Sequence, residues 1–287
     1  SLGFDGMGLP DRDYYLVDSE SNLEIREAYK DYLTFVLGKA GYQDARGAAE
    51  AVYAFETKVA RLEWARQMFR LPQLTYNELT PAELTEMAGD FPIATLLEAG
   101  QFSDQTRFLA PQIPPTAEEV EALGLTAEQQ AMIGEGLPGM MKLVTETPLA
   151  TMKAFMAAQF LSNNAAVLSS ELDDARFEFY GRTISGQEAQ QERWKRAIGA
   201  VEGTLGEQLG ALYVERYFPP ESKARMDELV ANLQRAMSAA LDENEWMTAD
   251  TLTEARTKLE GFVPMIGYPD EFETYDGLEI TPDDPLA

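Results

Sequence analysis

The chain has 287 residues, 45% of them hydrophobic, with 23 Lys plus Arg against 49 Asp plus Glu, a formal net charge of -26, and neither histidine nor cysteine. The two zeros exclude Ser-His-Asp and Cys-His nucleophiles, zinc sites built on His or Cys, disulfides and thiolate-held iron–sulfur centres. The charge rules against a nucleic-acid partner, because phosphate binding needs a basic face.

At this length the chain can bury a large core, in one or two domains. No stretch approaches the roughly 18 apolar residues of a membrane-spanning helix, so none is expected in this chain. The first residues, Ser1-Leu2-Gly3, have no initiator methionine, basic region or apolar run, and read as a processed or internal start. A fold without cysteine suits the cytosol and many periplasmic proteins alike.

Gly3 to Tyr15 is rich in Gly, Pro and Asp and reads as a loop. From about Glu24 a helical period sets in, with Ile25, Tyr29, Tyr32, Leu33 and Val36 on one face and Gly41 as a stop. A second helical pattern runs from about Arg46 to Arg70 through Val52, Phe55, Val59 and Leu62, until Pro72 breaks it. Thr80-Pro81-Ala82-Glu83 is a capping box with proline at the first helical position. Residues 101–139 read as an irregular, Pro-rich connection, with short helices starting near Thr116 and Thr126.

Helical stripes then follow one another. They are Met152, Phe155, Met156 and Phe160; Trp194, Ile198, Val201, Leu205, Leu209 and Leu212; Met226, Leu229, Val230, Leu233, Met237 and Leu241; and Leu252, Leu259 and Phe262, capped at Thr248. Each is expected to be core, since an amphipathic helix buries its apolar face. Period-two patterns are nearly absent. The predicted fold class is all-α.

Candidate chemistry is thin. Gly134-Glu135-Gly136-Leu137-Pro138-Gly139 matches G-x-G-x-x-G, but no strand precedes it, Pro138 lacks an N–H and Glu135 repels phosphate. A Gly-rich turn is the better reading. Asp242-x-Asn244 opens like a calcium loop but lacks the later Gly and Glu, and reads as a helix connection. The pairs Asp11/Asp13, Asp173/Asp174 and Asp283/Asp284 read as solvated or capping groups. Arg193, Lys195 and Arg196 around Trp194 are expected to pair with carboxylates within the chain. No residue is assigned a catalytic, cofactor-binding or metal-binding role.

Several ordered stretches are more specific. They are Gly8-Leu9-Pro10-Asp11-Arg12-Asp13-Tyr14-Tyr15, Phe55-Glu56-Thr57, Thr75-Tyr76-Asn77, Phe177-Glu178-Phe179-Tyr180-Gly181, Ser185-Gly186, Arg193-Trp194, Leu212-Tyr213-Val214, Trp246-Met247 and Ile266-Gly267-Tyr268-Pro269-Asp270. Together, from Gly8 to Asp270, they resemble the neprilysin and endothelin-converting-enzyme family of zinc metallopeptidases. Ala197 stands where disulfide-bearing relatives commonly carry a cysteine, which suggests a bacterial relative.

The resemblance implies two lobes around a closed cavity. One lobe is thermolysin-like and holds zinc through an H-E-x-x-H helix and a later glutamate, and the other is mainly helical and covers the site. No position here matches a metal ligand or a catalytic residue of the family. Residues 1–270 are therefore expected to form the helical lobe, incomplete at its N-terminus, and residues 271–287 an acidic linker towards a missing catalytic lobe. Zinc belongs to the parent protein and no cofactor to this chain. The parent is expected to be a metalloendopeptidase acting on peptides, in the periplasm or another extracytoplasmic place with the cytoplasm as alternative. The chain alone is expected to be inactive. The rival reading is a stand-alone helical protein-binding module, and a carboxylate enzyme using a hard cation ranks third.

Overall fold

A computed structural model of the chain describes residues 2–4 and 6–281. The all-α class holds: the only strands among the described residues are β1 (Glu78–Leu79) and β2 (Phe108–Leu109), antiparallel with Glu78 opposite Leu109. The chain divides into two compact units, residues 1–190 and 191–287.

The first unit contains α1 (Asp13–Leu16), α2 (Glu20–Lys39), α3 (Ala45–Leu62), α4 (Pro72–Thr75), α5 (Pro81–Ala88), α6 (Ile93–Ala99), α7 (Ala117–Ala122), α8 (Ala127–Ala131), α9 (Gly136–Glu146), α10 (Leu149–Asn164) and α11 (Ser170–Arg176). α2 begins four residues earlier than its apolar period, because Ser19 Oγ accepts from the Asn22 N–H at 3.1 Å and caps it. Its inner face, Tyr29, Leu33, Val36 and Leu37, packs with Val52 and Ala60 of α3 and Ala154 and Ala158 of α10. Val36, Leu37 and Val52 are wholly enclosed, each a burial worth roughly 1.5–3 kcal/mol.

The expected run to Arg70 is not one helix. α3 stops at Leu62 and Glu63 is extended. The reason is Trp64, which is buried: its amide donates to Gln112 Oε1 at 3.0 Å and its indole N–H to the Gly134 carbonyl at 2.9 Å. Residues 66–70 form only a short 3-10 turn. The capping boxes at Thr80, Thr116 and Thr126 all start helices, with Glu83, Glu119 and the Gln129 amide as their reciprocal partners.

The Gly-rich stretch turns at Gly134–Gly136, where Gly136 has φ +56°, and its remainder opens α9, so the irregular region ends near residue 135 rather than 139. A Cβ at Gly134 would lie 2.2 Å from the Leu62 carbonyl oxygen, and one at Gly136 would lie 2.0 Å from that of Gln112. These glycines serve close backbone packing.

On α10 the expected stripe splits. Ala154, Ala158 and Ser162 face the core, while Met156 is 65% and Phe160 50% exposed. Small residues let α10 lie close to α2 and α3, while Met152 and Phe155 pack half-buried beside Phe55 and, of that stripe, only Met156 and Phe160 turn outward.

The second unit contains α12 (Arg193–Tyr217), α13 (Pro220–Asp242) and α14 (Ala249–Glu260). α12 bends at Leu205, whose φ of -120° and ψ of 36° interrupt the helix. The stripes read as core on these helices are not core among the described residues: nothing on α12 or α14 is buried, and on α13 only Leu241. Trp194 stands 58% exposed and Leu233 60%. A stripe is enclosed only where other elements cover it fully, and within this unit Leu205, Leu209, Val230, Leu252 and Leu259 reach only half-burial. Asp242-x-Asn244 is the expected connection, with Asn244 Oδ1 accepting from the Met247 N–H at 2.8 Å.

Candidate functional site

Three of the signature stretches, residues 8–15, 55–57 and 177–181, meet around a buried carboxyl. Glu56 lies on the core face of α3, between Val52 and Val59, with none of its surface exposed. Tyr15 of α1 donates its hydroxyl proton to Glu56 Oε2 at 2.9 Å, and Tyr29 of α2 donates to Oε1 at 3.0 Å. The Tyr15 oxygen in turn accepts from the N–H groups of Gly8 at 3.1 Å and Leu9 at 2.9 Å. Tyr180 donates to the Gly8 carbonyl at 2.9 Å.

Local sequence makes this possible. Asp11 Oδ1 accepts from the Asp13 N–H at 2.9 Å and begins the α1 turn that aims Tyr15 inward. Asp11 also pairs with Arg66 at 2.6 Å. α11 runs on without a break into π-helical turns at Phe177–Ile184. There Phe179 stacks between Tyr29 and Tyr32, at 5.3 and 5.4 Å between ring centroids, and Tyr32 donates to Ser162 Oγ, or accepts from it, at 3.0 Å.

Burial dominates the electrostatics. It raises the Glu56 carboxyl to about 7 against the opposing pull of the Tyr15, Tyr29, Gly8 and Gln159 hydrogen bonds. Burial likewise drives the Tyr15, Tyr29 and Tyr180 hydroxyls upward, with the Glu56 charge adding to each. An enclosed carboxyl ringed by phenols cannot touch a substrate. It clasps the loop carrying Gly8–Tyr15 to the helices.

The last signature stretch does similar work in the second unit. Lys223 of α13 donates to the Tyr268 carbonyl at 2.8 Å and to Asp270 Oδ1 at 3.0 Å, with its ammonium 4.5 Å from the Tyr268 ring centre. Gly267 has φ +73°, and a Cβ there would lie 2.9 Å from the Phe218 ring. Glu207 of α12 accepts from the Glu273 N–H at 2.7 Å. Between them opens a cleft of about 540 Å³, lined by Glu207, Lys223, Asp227 and residues 264–270.

The residues weighed from sequence scatter. Asp173 lies in the first turn of α11 with Asp174 beside it, and the pair Asp283/Asp284 falls outside the described residues. Lys195 pairs with Glu192 at 3.2 Å, which also accepts from the Trp194 indole. Among the described residues no three His, Cys, Asp or Glu side chains are grouped to hold a metal ion, and no helix is long and apolar enough to cross a membrane. Glu56 stands in a signature stretch with no role assigned to it, and Lys223 stands in none. For Glu56 a signal existed: it is a charged residue on the apolar face of α3.

Comparison with known proteins agrees with this pattern. The family model for peptidase family M13 matches residues 1–269. The chain is 26% identical over 267 residues to endothelin-converting enzyme 1 of Bos taurus, covering 92% of this chain and 33% of that protein. It is 28% identical over 251 residues to neprilysin-2 of Drosophila melanogaster, covering 80% of this chain and 30% of that protein. The chain thus spans about a third of the length of the curated relatives it matches. Among solved structures, the zinc metalloprotease Zmp1 of Mycobacterium tuberculosis in its open state superposes with a TM-score of 0.77 at 29% identity, over 98% of this chain and 41% of that one. PepO from Lactobacillus rhamnosis HN001 shares the fold, with a TM-score of 0.77 at 22% identity. The two clasps are thus built from helices that match this family, and the chain belongs to peptidase family M13.

Proposed function

We propose that this chain is a non-catalytic helical part of a neprilysin-like zinc metalloendopeptidase, that it covers the active-site cavity and limits substrate size, and that zinc and the catalytic residues belong to sequence outside these 287 residues. The observation that carries this is a family match over residues 1–269 in a sequence with no histidine and no cysteine. Zinc in peptidases is held by imidazole, thiolate and carboxylate donors set close together. Carboxylates alone are available here and the described ones are not gathered, so the residues do not fit the ion and no catalytic step runs through them.

The partner surface is supported by the second unit. Trp194, Ile198, Val201, Leu212, Leu229 and Leu233 are all exposed on α12 and α13. Apolar side chains repeated along a helix face mark an interaction surface, and the catalytic lobe is the partner we assign to it. Residues 1–270 then act as one lobe and residues 271–287 as its acidic link. The substrates are peptides small enough to enter, and the compartment is extracytoplasmic. Walling the cavity also excludes bulk water, which strengthens electrostatics at the chemistry.

The test is a graded series of substrates given to the parent enzyme, from short peptides to folded proteins. Short peptides are expected to be cleaved and folded proteins left intact. Equal cleavage of both would overturn the size-limiting role.

A further inference from the structure

The Glu56 cluster has a property that clasping alone does not need. Its carboxyl is sealed behind the segment of residues 6–16, since the Gly8 and Leu9 amides and the Tyr15 hydroxyl form one wall of its enclosure. The segment is also held by Leu9 and Tyr15 in the core, by Tyr180 on the Gly8 carbonyl, by Arg66 on Asp11 and by Arg12 on the Glu63 carbonyl.

We propose that residues 6–16 are a proton-sensitive strap, held tightly while Glu56 carries its proton and loosened when Glu56 ionises behind it. The titratable groups facing Glu56 are Tyr15 from α1, Tyr29 from α2 and Tyr180 from the π-helical turns, with the neutral Gln159 from α10. The phenols stay protonated throughout, because burial pushes all three upward. Arg176 reaches the cluster only through the Tyr180 ring, 5.5 Å from its guanidinium carbon. No cation is among the groups that act most strongly on the Glu56 carboxyl, so its negative charge is met by hydrogen bonds alone.

The direction follows from linkage. With the strap in place the carboxyl titrates at about 7, above its ordinary value of 4.5. Lifting the strap admits water and returns it towards 4.5. The closed strap therefore binds the proton more tightly than the open one. Closure is favoured in full below pH 4.5 and is lost progressively as pH rises through 7. Complete rehydration on opening corresponds to a change of about a hundredfold or more in the opening equilibrium.

The experiment is amide hydrogen exchange of Gly8 and Leu9 in the 287-residue chain between pH 5 and 9, corrected for intrinsic rates. Protection is expected to fall by up to about a hundredfold between pH 5 and 7.5 and to level off above that, and Glu56→Gln is expected to abolish that dependence. Constant protection in the unsubstituted chain, or the same fall in Glu56→Gln, would overturn the proposal. A direct titration of the Glu56 carboxyl by carbon NMR needs no variant. A midpoint near 7 supports the strap, and a midpoint between 4 and 5 sinks it.

Discussion

At the residue scale the most demanding position is Gly8. A Cβ there would lie 1.8 Å from the Tyr29 hydroxyl oxygen and 2.6 Å from the ring carbon bearing it. Tyr29 cannot retreat, since it is wedged between Glu56 and Phe179. Gly8→Ala is therefore expected to cost about 2 kcal/mol or more through overpacking, read as a lowered denaturation midpoint with an unchanged slope. A variant as stable as the original would show that the loop sits elsewhere. The sequence exposed the parts of this arrangement without their meeting. Gly8, Tyr15, Glu56 and Tyr180 each fell inside a signature stretch, yet 172 residues separate Gly8 from Tyr180. No local period encodes such a contact. A glutamate at an apolar position of α3 was the one available hint, and only the tertiary fold shows which phenols answer it.

At the scale of elements, caps and breaks were the readable features. Threonine starts α5, α7, α8 and α14 where the sequence placed it, because a side-chain oxygen accepting from the third residue is a local event. The earlier start of α2 rests on the same chemistry at Ser19. Ser19→Ala is expected to cost about 1 kcal/mol, measured by denaturant unfolding, and an unchanged stability would remove Ser19 as the cap. What the sequence could not supply was the choice of face. On α10 both the alanine face and the Met156–Phe160 face have helical spacing, and proximity of α2 decides for the alanines. Val52→Ala is thus expected to cost roughly 2 kcal/mol or more, while Met156→Ser stays within about 0.5 kcal/mol. Equal losses at both sites would put Met156 back in the core.

At the scale of the molecule, the contrast between the two units supports the proposed function. The first unit holds enclosed clusters around Tyr29, Leu84, Trp64 and Phe55. The second presents long helices whose apolar stripes face solvent, with Met265 91% exposed beside its cleft. Amphipathicity is plain in the sequence but burial is not, because a stripe announces that something must cover it without saying what. A catalytic lobe as that cover joins the exposed faces, the missing histidines and the family match into one explanation. The most direct test is to purify this chain, load it with zinc, and measure both bound metal and cleavage of a fluorogenic peptide. No stoichiometric zinc and no cleavage are expected. One zinc per chain with peptide hydrolysis abolished by a chelator would contradict it.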